Sequence, residues 1–503
     1  MRAPSSYWME STPWPEYPPL GADVRVDVVV IGAGVAGLST AWELVRRGRR
    51  VALLEADRVA GGVTGHTTAK VSALHGDVYG FLTRRFGPET AATYAGTQQR
   101  AMRHVAEVVA ELGVDCDLES RPAYLYSETD EEAMRLEAEA VANAGLPAAF
   151  TTEPGLPFGV AGAVRVEDQL MFHPRKYLLA LATDLVARGG LVHERTRVTG
   201  LTEGEPCTVT TAAGHRVTAD DVVVATHYPV FDRALLFARL VPHREFAVAG
   251  VIDAGADPRG MYITTAGDTR SVRSTPYRGR RLLIVTGEQF APGSSDTAEH
   301  LDRLTGWMRD RFGIAEPDFV WAAQDNHSSD RLPFIGLMHP LARRTWVATG
   351  FGGWGMTNGV LSGMLLAELI GGEKLEGAEI YDPRRLHLVT EAVPVVKAAV
   401  RTTSNWAGSR IRARLRSSAS AEDIAPGEAG VVTVGGDQLA VHRADDGTLH
   451  TVSAICTHLG CLIGFNAVER EWECPCHGSR FGLDGEVRQG PATAPLRRGP
   501  GAP

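Results

Sequence analysis

One local pattern narrows the possible folds more than any other. Residues 26–55 read VDVVVIGAGVAGLSTAWELVRRGRRVALLE. An apolar strand, Val26 to Ile31, runs into Gly32-x-Gly34-x-x-Gly37. A helical stretch follows, then a second strand, Val51 to Leu54, ending on Glu55. Gly32 permits the tight turn, Gly34 lets backbone approach a pyrophosphate, and Gly37 lets helix and strand pack closely. The helix N-terminus attracts phosphate. Glu55 suits the adenosine ribose hydroxyls and would repel a 2′-phosphate. A lone glycine triplet says little; strand, triplet, helix, strand and acid at this spacing indicate a dinucleotide fold.

A second triplet, GFGGWG at 350–355, also follows a strand and precedes a helix. A second nucleotide site is disfavoured, because no acid-terminated strand follows and Trp354 is bulky. The better reading is a helix N-terminus aimed at a flavin ring, where its partial charge stabilises negative charge on the pyrimidine side.

Four of the six cysteines fall in CTHLGCLIGFNAVEREWECPCHGSRF, 456–481. The order is Cys456-x-His458, then Cys474-x-x-His477. Structural zinc usually pairs cysteines on one loop and histidines on a helix. Here each loop carries one of each, which suits a Rieske [2Fe–2S] centre with two thiolates on one iron and two imidazoles on the other. Zinc stays as the alternative. Cys116 and Cys207 stand alone and read as buried structural thiols.

Composition sets bounds. The chain has 503 residues, 44% apolar and 22% charged, ordinary for globular protein of several domains. A formal charge of −9 argues against nucleic acid as a partner. No apolar run approaches the roughly twenty residues of a membrane span. The N-terminal stretch MRAPSSYWMESTPWPEYPPL lacks a signal core and reads as a surface arm. The expectation is a cytoplasmic protein, with the membrane periphery as the other station. Expected divisions are an arm over 1–24, an oxidoreductase unit over 25–385, a basic helical segment and linker over 386–425, and a small β domain over 426–503.

These pieces place the chain in familiar company. The opening motif, RVAGGVTGHTTAK (58–70), FHPRKYLLALA (172–182), TRVTGL (196–201), VTADDVVVATHYP (217–229), SSDRLPFIG (328–336) and GFGGWGMTNG (350–359) resemble FAD-dependent oxidoreductases of the D-amino-acid oxidase type. That resemblance implies an α/β Rossmann-like FAD domain built from separated segments, with an antiparallel-sheet substrate domain over the flavin. It implies that Gly62, Thr67 and Thr68 lie along the flavin and its phosphates. Val198 would contact adenine, and Gly352, Gly353, Met356 and Thr357 would face the pyrimidine. His66 stands where some relatives bind flavin covalently; the alternative is a ring packed beside it. The CTHLGC and CPCHGS loops resemble Rieske proteins of quinol–cytochrome oxidoreductase complexes, which implies an all-β domain and a Cys461–Cys476 disulfide. A cytosolic disulfide is uncommon, so either the cluster fold shields the bridge or the protein is not cytosolic. GPATAPL (490–496) resembles the proline loop that covers the cluster. Ser479 keeps a hydroxyl that relatives place near a cluster sulfide. Phe481 departs from a tyrosine that donates to a ligand sulfur, which should lower the potential. The whole architecture resembles bacterial FAD-dependent oxidoreductases carrying a C-terminal Rieske domain.

The expected activity is oxidation of a small molecule, an amine or amino acid, with electrons passing from FAD through the cluster to an external quinone or redox protein. Two rivals stand beside it: a non-catalytic relay between partner proteins, and an oxidase whose cluster is structural or redox-sensing. A substrate carboxylate calls for Arg or Tyr, which nominates His173, Tyr262, Arg273 and Arg331. No acid–base dyad is expected, since hydride transfer from an amine needs no obligatory strong base.

Overall fold

The computed structural model describes residues 4–499 apart from 232, 234–235, 265–268, 295, 376 and 386–420. Most of the expected basic segment and linker therefore lies outside the described residues. The chain weaves two sheets in alternation. β1 (Val24–Ile31), α1 (Val35–Arg46) and β2 (Val51–Leu54) open the first sheet. A short strand at Lys70–Val71 begins the second, and β3 (Glu119–Ser127) and β4 (Gly162–Met171) extend it. After α2 (Pro174–Ala187), β5 (Leu191–His193) and β6 (Arg216–Val224) return to the first. The chain leaves again for β7 (Leu240–Ile252), β8 (Met261–Thr264), β9 (Arg270–Tyr277), β10 (Arg280–Phe290) and β11 (Phe319–Ser328). β12 (Phe334–Leu337), β13 (Thr345–Thr349) and α3 (Gly355–Ile370) complete the first sheet and its helical cover.

The first sheet runs β12-β13-β6-β1-β2-β5, parallel except at β12. Its central strands are buried on both faces, which is why they read as unbroken valine runs rather than alternating ones. The second sheet runs β11-β7-β10-β9-β8-β3-β4 and is antiparallel apart from the β3–β8 pair. Two small antiparallel sheets form the C-terminal unit. One holds β14 (Ala429–Val434), β15 (Asp437–Arg443) and β16 (Leu449–Ser453). The other holds β17 (Gly464–Asn466), β18 (Glu471–Glu473), β19 (Arg480–Phe481) and β20 (Val487–Gln489). The α/β-plus-β fold class is as expected. Among the described residues no helix is long and apolar enough to cross a membrane.

Two glycine contacts set the geometry at the strand ends. Gly32 has φ +99° and lies against the Ala225 carbonyl at the end of β6. A Cβ on Gly37 would fall inside the Gly32 carbonyl, so α1 can start hard against β1 only with glycine there. Gly359 and Gly363 of α3 do the same against Val35 and Ser39 of α1. The two helices therefore run in close contact.

The N-terminal arm is not a surface element. Trp8 is fully buried, and its indole N–H donates to the Thr67 carbonyl at 2.7 Å. Arg175 donates to the Thr12 hydroxyl at 2.5 Å and lies over the Trp14 ring. The aromatic residues that make the arm look irregular in sequence are the ones that plug it into the core.

Gly37→Ala should destabilise the protein by ~1–3 kcal/mol, the usual cost of overpacking. Gly96→Ala, on an exposed helix turn with nothing within 4 Å of its Cβ, should stabilise it by ~0.5–1 kcal/mol. Urea unfolding of the two variants, followed by circular dichroism, checks both signs.

Candidate functional site

A cavity of about 860 Å³ lies where the first sheet, the second sheet and the C-terminal unit meet. That volume suits a cofactor site, typically ~300–1,000 Å³. Gly32, Gly34 and the first turn of α1 open onto it, as do Glu55 and Val198. The Glu55 carboxylate accepts from the Ala33 N–H at 2.7 Å and the Asp57 N–H at 2.9 Å, which fixes it at the end of β2; burial raises its pKa. Gly62, His66, Thr67 and Thr68 also line the cavity. His66 Nδ1 lies 2.9 Å from the Gly62 carbonyl, and burial lowers its pKa. Gly37 serves packing and does not reach the cavity.

α3 starts at the same cavity. Gly352, Gly353 and Met356 line it, and the Gly353 N–H donates to Asp325 at 2.5 Å. Thr357 is turned away, exchanging hydrogen bonds with the Ser72 backbone at 2.9 and 3.0 Å. Trp354 stacks on His75, with ring centroids 4.4 Å apart. Both His75 nitrogens are engaged, by the Tyr94 hydroxyl and the Ser72 carbonyl, each at 2.6 Å. Burial pushes its pKa down to about 3, so it stands as a neutral aromatic wall.

Of the four substrate candidates the structure brings only Arg331 to the cavity, where it pairs with Asp77 at 2.5 Å. The other three have structural employment. The His173 ring caps α2, and its Nε2 lies 2.9 Å from the Ser11 hydroxyl. The Tyr262 hydroxyl donates to the Pro154 and Pro258 carbonyls, and its ring stacks on Tyr124. Arg273 is buried and donates to the Thr68 and Ala69 carbonyls at 3.0 and 2.7 Å. It supports the loop behind Thr67 and Thr68 rather than facing a ligand.

Sequence reasoning missed Lys70 and Glu245, which both line the cavity. The Lys70 ammonium donates to the Tyr262 carbonyl at 2.8 Å and to the Ser271 hydroxyl. Burial lowers its pKa to about 7. Glu245, on β7, is raised to about 7, first by burial and then by Asp325, with Lys70 opposing. The two residues are far apart in sequence; Lys70 closes the RVAGGVTGHTTAK segment without having been singled out, and Glu245 sits in no motif. Only the pairing of sheets over the cavity brings them together.

The C-terminal loops form two like turns. Gly460 N–H donates to the Cys456 carbonyl and Gly478 N–H to the Cys474 carbonyl, each at 3.0 Å. Both glycines have positive φ, +74° and +75°, so each turn closes with the left-handed residue its chain reversal requires. Cys461 and Cys476 form a disulfide across the turns. The Cys456 and Cys474 thiols hydrogen-bond each other, which lowers the first pKa and raises the second. The His458 and His477 rings lie 5.0 Å apart, and burial lowers both pKa values, to about 4 and about 3. His458 Nδ1 and both His477 nitrogens have no hydrogen-bond partner. Buried thiols beside neutral, unpartnered imidazoles can hold a [2Fe–2S] cluster, since ligation needs the neutral ring. Three sulfurs, of Cys461, Cys474 and Cys476, also lie within 4.8 Å of one another. Two of those are spent on the disulfide, so that trio is not a ligand set. Ser479 accepts from the Ala492 N–H at 3.0 Å, tying the proline loop to the turn. Phe481 is fully buried in the core that holds the cysteines.

The two units share a wall. Glu471, Arg480, Gln489, Gly490 and Thr493 of the C-terminal unit line the same cavity as Gly32 and Glu55. His477 packs on Tyr228 and Phe237, with centroids at 5.5 and 6.3 Å. Gly478, next to it, lies against the side-chain amide of Gln324, which also lines the cavity.

Comparison with known proteins agrees with this picture. Residues 27–369 match the family described as FAD dependent oxidoreductase, and residues 417–500 match the Rieske [2Fe-2S] domain. YhfW of Bacillus subtilis (strain 168), whose name describes a Rieske 2Fe-2S iron-sulfur protein, is 34% identical over 501 residues, covering 99% of this chain and 97% of its own. The cytochrome b6-f complex iron-sulfur subunit 1 of Synechocystis sp. is 42% identical over 76 residues, 14% of this chain and 43% of its own. Among solved structures, glycine oxidase from Geobacillus kaustophilus superposes with a TM-score of 0.60 at 21% identity, covering 72% of this chain and 99% of its own. L-proline dehydrogenase from P. horikoshii gives 0.61 at 21% identity, with 72% and 98% covered. FAD and a [2Fe–2S] cluster are the cofactors these matches indicate.

Two outcomes follow from the geometry. Glu245 is raised from 4.5 to about 7, so the stability it contributes is fully present below pH 4.5 and lost as pH rises through about 7. Glu245→Gln should remove that slope. Its melting temperature should match wild type near pH 4.5 and exceed it at pH 8, read by scanning calorimetry across the range. Phe481→Tyr should raise the cluster's midpoint potential by adding a donor near the ligand sulfurs, read by redox titration of its electron paramagnetic resonance signal. An unchanged or lower potential would count against this account.

Proposed function

We propose that this chain, which belongs to the FAD dependent oxidoreductase family and carries a C-terminal Rieske [2Fe-2S] domain, oxidises a small amine or amino acid and delivers the electrons singly to an external acceptor. When bound, FAD supplies the two-electron oxidation and the cluster supplies one-electron transfer. The observation that carries the reading is the shared wall. Glu471, Arg480 and Gln489 of the C-terminal unit line the cavity that Gly32, Gly34 and Glu55 also line, and His477 packs on Tyr228 and Phe237 of the oxidoreductase unit, which supports reading the two cofactor sites as neighbours within one chain.

The residues divide the work as follows. Gly32, Gly34 and the α1 N-terminus hold the pyrophosphate, and Glu55 holds the ribose. The α3 N-terminus, with Gly352 and Gly353 on the cavity wall, would favour negative charge on a bound flavin. Cys456, His458, Cys474 and His477 hold the cluster, and the Cys461–Cys476 bridge keeps their loops in register. Arg331 orients a substrate carboxylate by exchanging Asp77 for it. Glu245 receives the ammonium group or its proton. The amine class is taken from the neighbours titled glycine oxidase and L-proline dehydrogenase. His477 is buried against the oxidoreductase unit, whereas His458 keeps partial exposure beside Leu459, itself 45% exposed. His477 would therefore be the ligand facing the oxidoreductase unit, and His458 the ligand open to an external quinone or redox protein.

The test is an anaerobic panel of amines and amino acids, watched at flavin and cluster wavelengths. One class of compound should bleach the flavin, with cluster reduction following. His477→Ala should keep the substrate-driven bleaching and lose the cluster phase. Bleaching by no small molecule, and reduction only through a partner protein, would overturn the enzymatic reading.

A further inference from the structure

A buried knot of charge joins the two units. Arg244, on β7 of the oxidoreductase unit, has a side chain with no exposed surface. It ion-pairs with Glu473 through one guanidinium nitrogen and with Glu469, at 2.5 Å, through the other. Glu473 is equally buried and also accepts from Asn466 at 2.8 Å and from the Gly293 N–H at 2.8 Å. Gly293 and Gly464 touch backbone to backbone, leaving no room for a side chain on either. Arg480 extends the knot to Glu471 at 2.6 Å and Glu469 at 3.5 Å.

Position gives this contact its meaning. Glu473 directly precedes Cys474, and Arg480 directly follows Ser479. The charged residues therefore bracket the second cluster loop. We infer that Arg244 is a positioning residue: it clamps Glu473 and Glu469, and so holds the cluster loop in one fixed pose against the flavin cavity. The Rieske unit is then docked as part of the enzyme, and electrons cross within a single conformation rather than during encounters of a mobile head. Nη1 makes a charge-assisted hydrogen bond to Glu473, and Nη2 holds Glu469 by charge, so one delocalised cation meets two carboxylates from separate nitrogens where an ammonium acts as a single point charge. A buried pair is also screened little by salt. This inference rests on the flavin-to-cluster reading above, and its test separates the two.

The experiment uses the full-length protein carrying both cofactors, and no substrate. A light flash with deazaflavin reduces the flavin, and cluster reduction is followed by absorbance. Wild type should show a phase whose rate is independent of protein concentration and flat between low and high salt. Arg244→Met should keep the flavin spectrum and the cluster's electron paramagnetic resonance signal, yet slow that phase by about tenfold or more, the equivalent of ~1.4 kcal/mol in the barrier. Arg244→Lys should fall between the two; it also reads the effect if the methionine variant does not fold. Absence of the phase in wild type would sink the flavin-to-cluster path itself. A wild-type phase that slows steeply with salt, or a lysine variant that matches wild type with both spectra intact, would overturn the clamp alone.

Discussion

Everything at the cofactor cavity depends on one backbone contact, the placing of Gly37 against the Gly32 carbonyl. It lets α1 begin where β1 ends, with its first turn opening onto the cavity. α3 is seated in turn on α1 through Gly359 and Gly363. The second helix start therefore inherits its place from the first. Two helices from opposite ends of the oxidoreductase unit thus aim their N-termini at one space, and both favour negative charge there. The arrangement needs no cation at the turn. The second sheet then needs only to roof the space.

What could be read in sequence was what is local. The β1–α1–β2 unit, the GFGGWG turn and the two cluster turns each use glycine where backbone geometry demands it, and each lies within about thirty residues. Trp8 shows the limit. A short aromatic arm looks like surface chain, because nothing nearby in sequence reveals that the Thr67 carbonyl awaits its indole N–H. Arg273, Tyr262 and His173 do not line the cavity, and the reason is similar. Residue type suggested carboxylate recognition, but their polar atoms are committed to carbonyls and a helix cap that only the folded chain supplies. Lys70 closes a segment that was legible, yet nothing there marked it, and Glu245 carried no signal at all, since their meaning is the cavity they share.

The C-terminal unit illustrates the same division. Its ligand spacing and its paired cysteines were legible, because two short turns of like geometry must each present one thiol and one imidazole. Its orientation was not. Orientation comes from Arg244 on β7 meeting Glu473 and Glu469, some 229 residues further on in the first case. No pattern in either segment announces the meeting. Both segments look like ordinary strand and turn until they are placed face to face.

Why this interface is ionic follows from the cost of burying charge. A buried ion pair seldom stabilises more than well-packed apolar residues of the same volume would. An apolar patch of equal area would hold the units together, yet it would tolerate sliding and rotation. Two carboxylates gripped by one guanidinium tolerate neither, because any shift leaves a buried charge unpaired, at about 3–5 kcal/mol. The knot holds three acids, Glu469, Glu471 and Glu473, against two arginines, and burial raises the pKa of Glu471. The surplus acid lies against the cavity wall beside Arg480. Charge there is balanced closely enough that orientation, rather than adhesion, is what the interface secures. On the proposed flavin-to-cluster path a fixed pose is what matters, since it would hold the distance between the two cofactor sites constant.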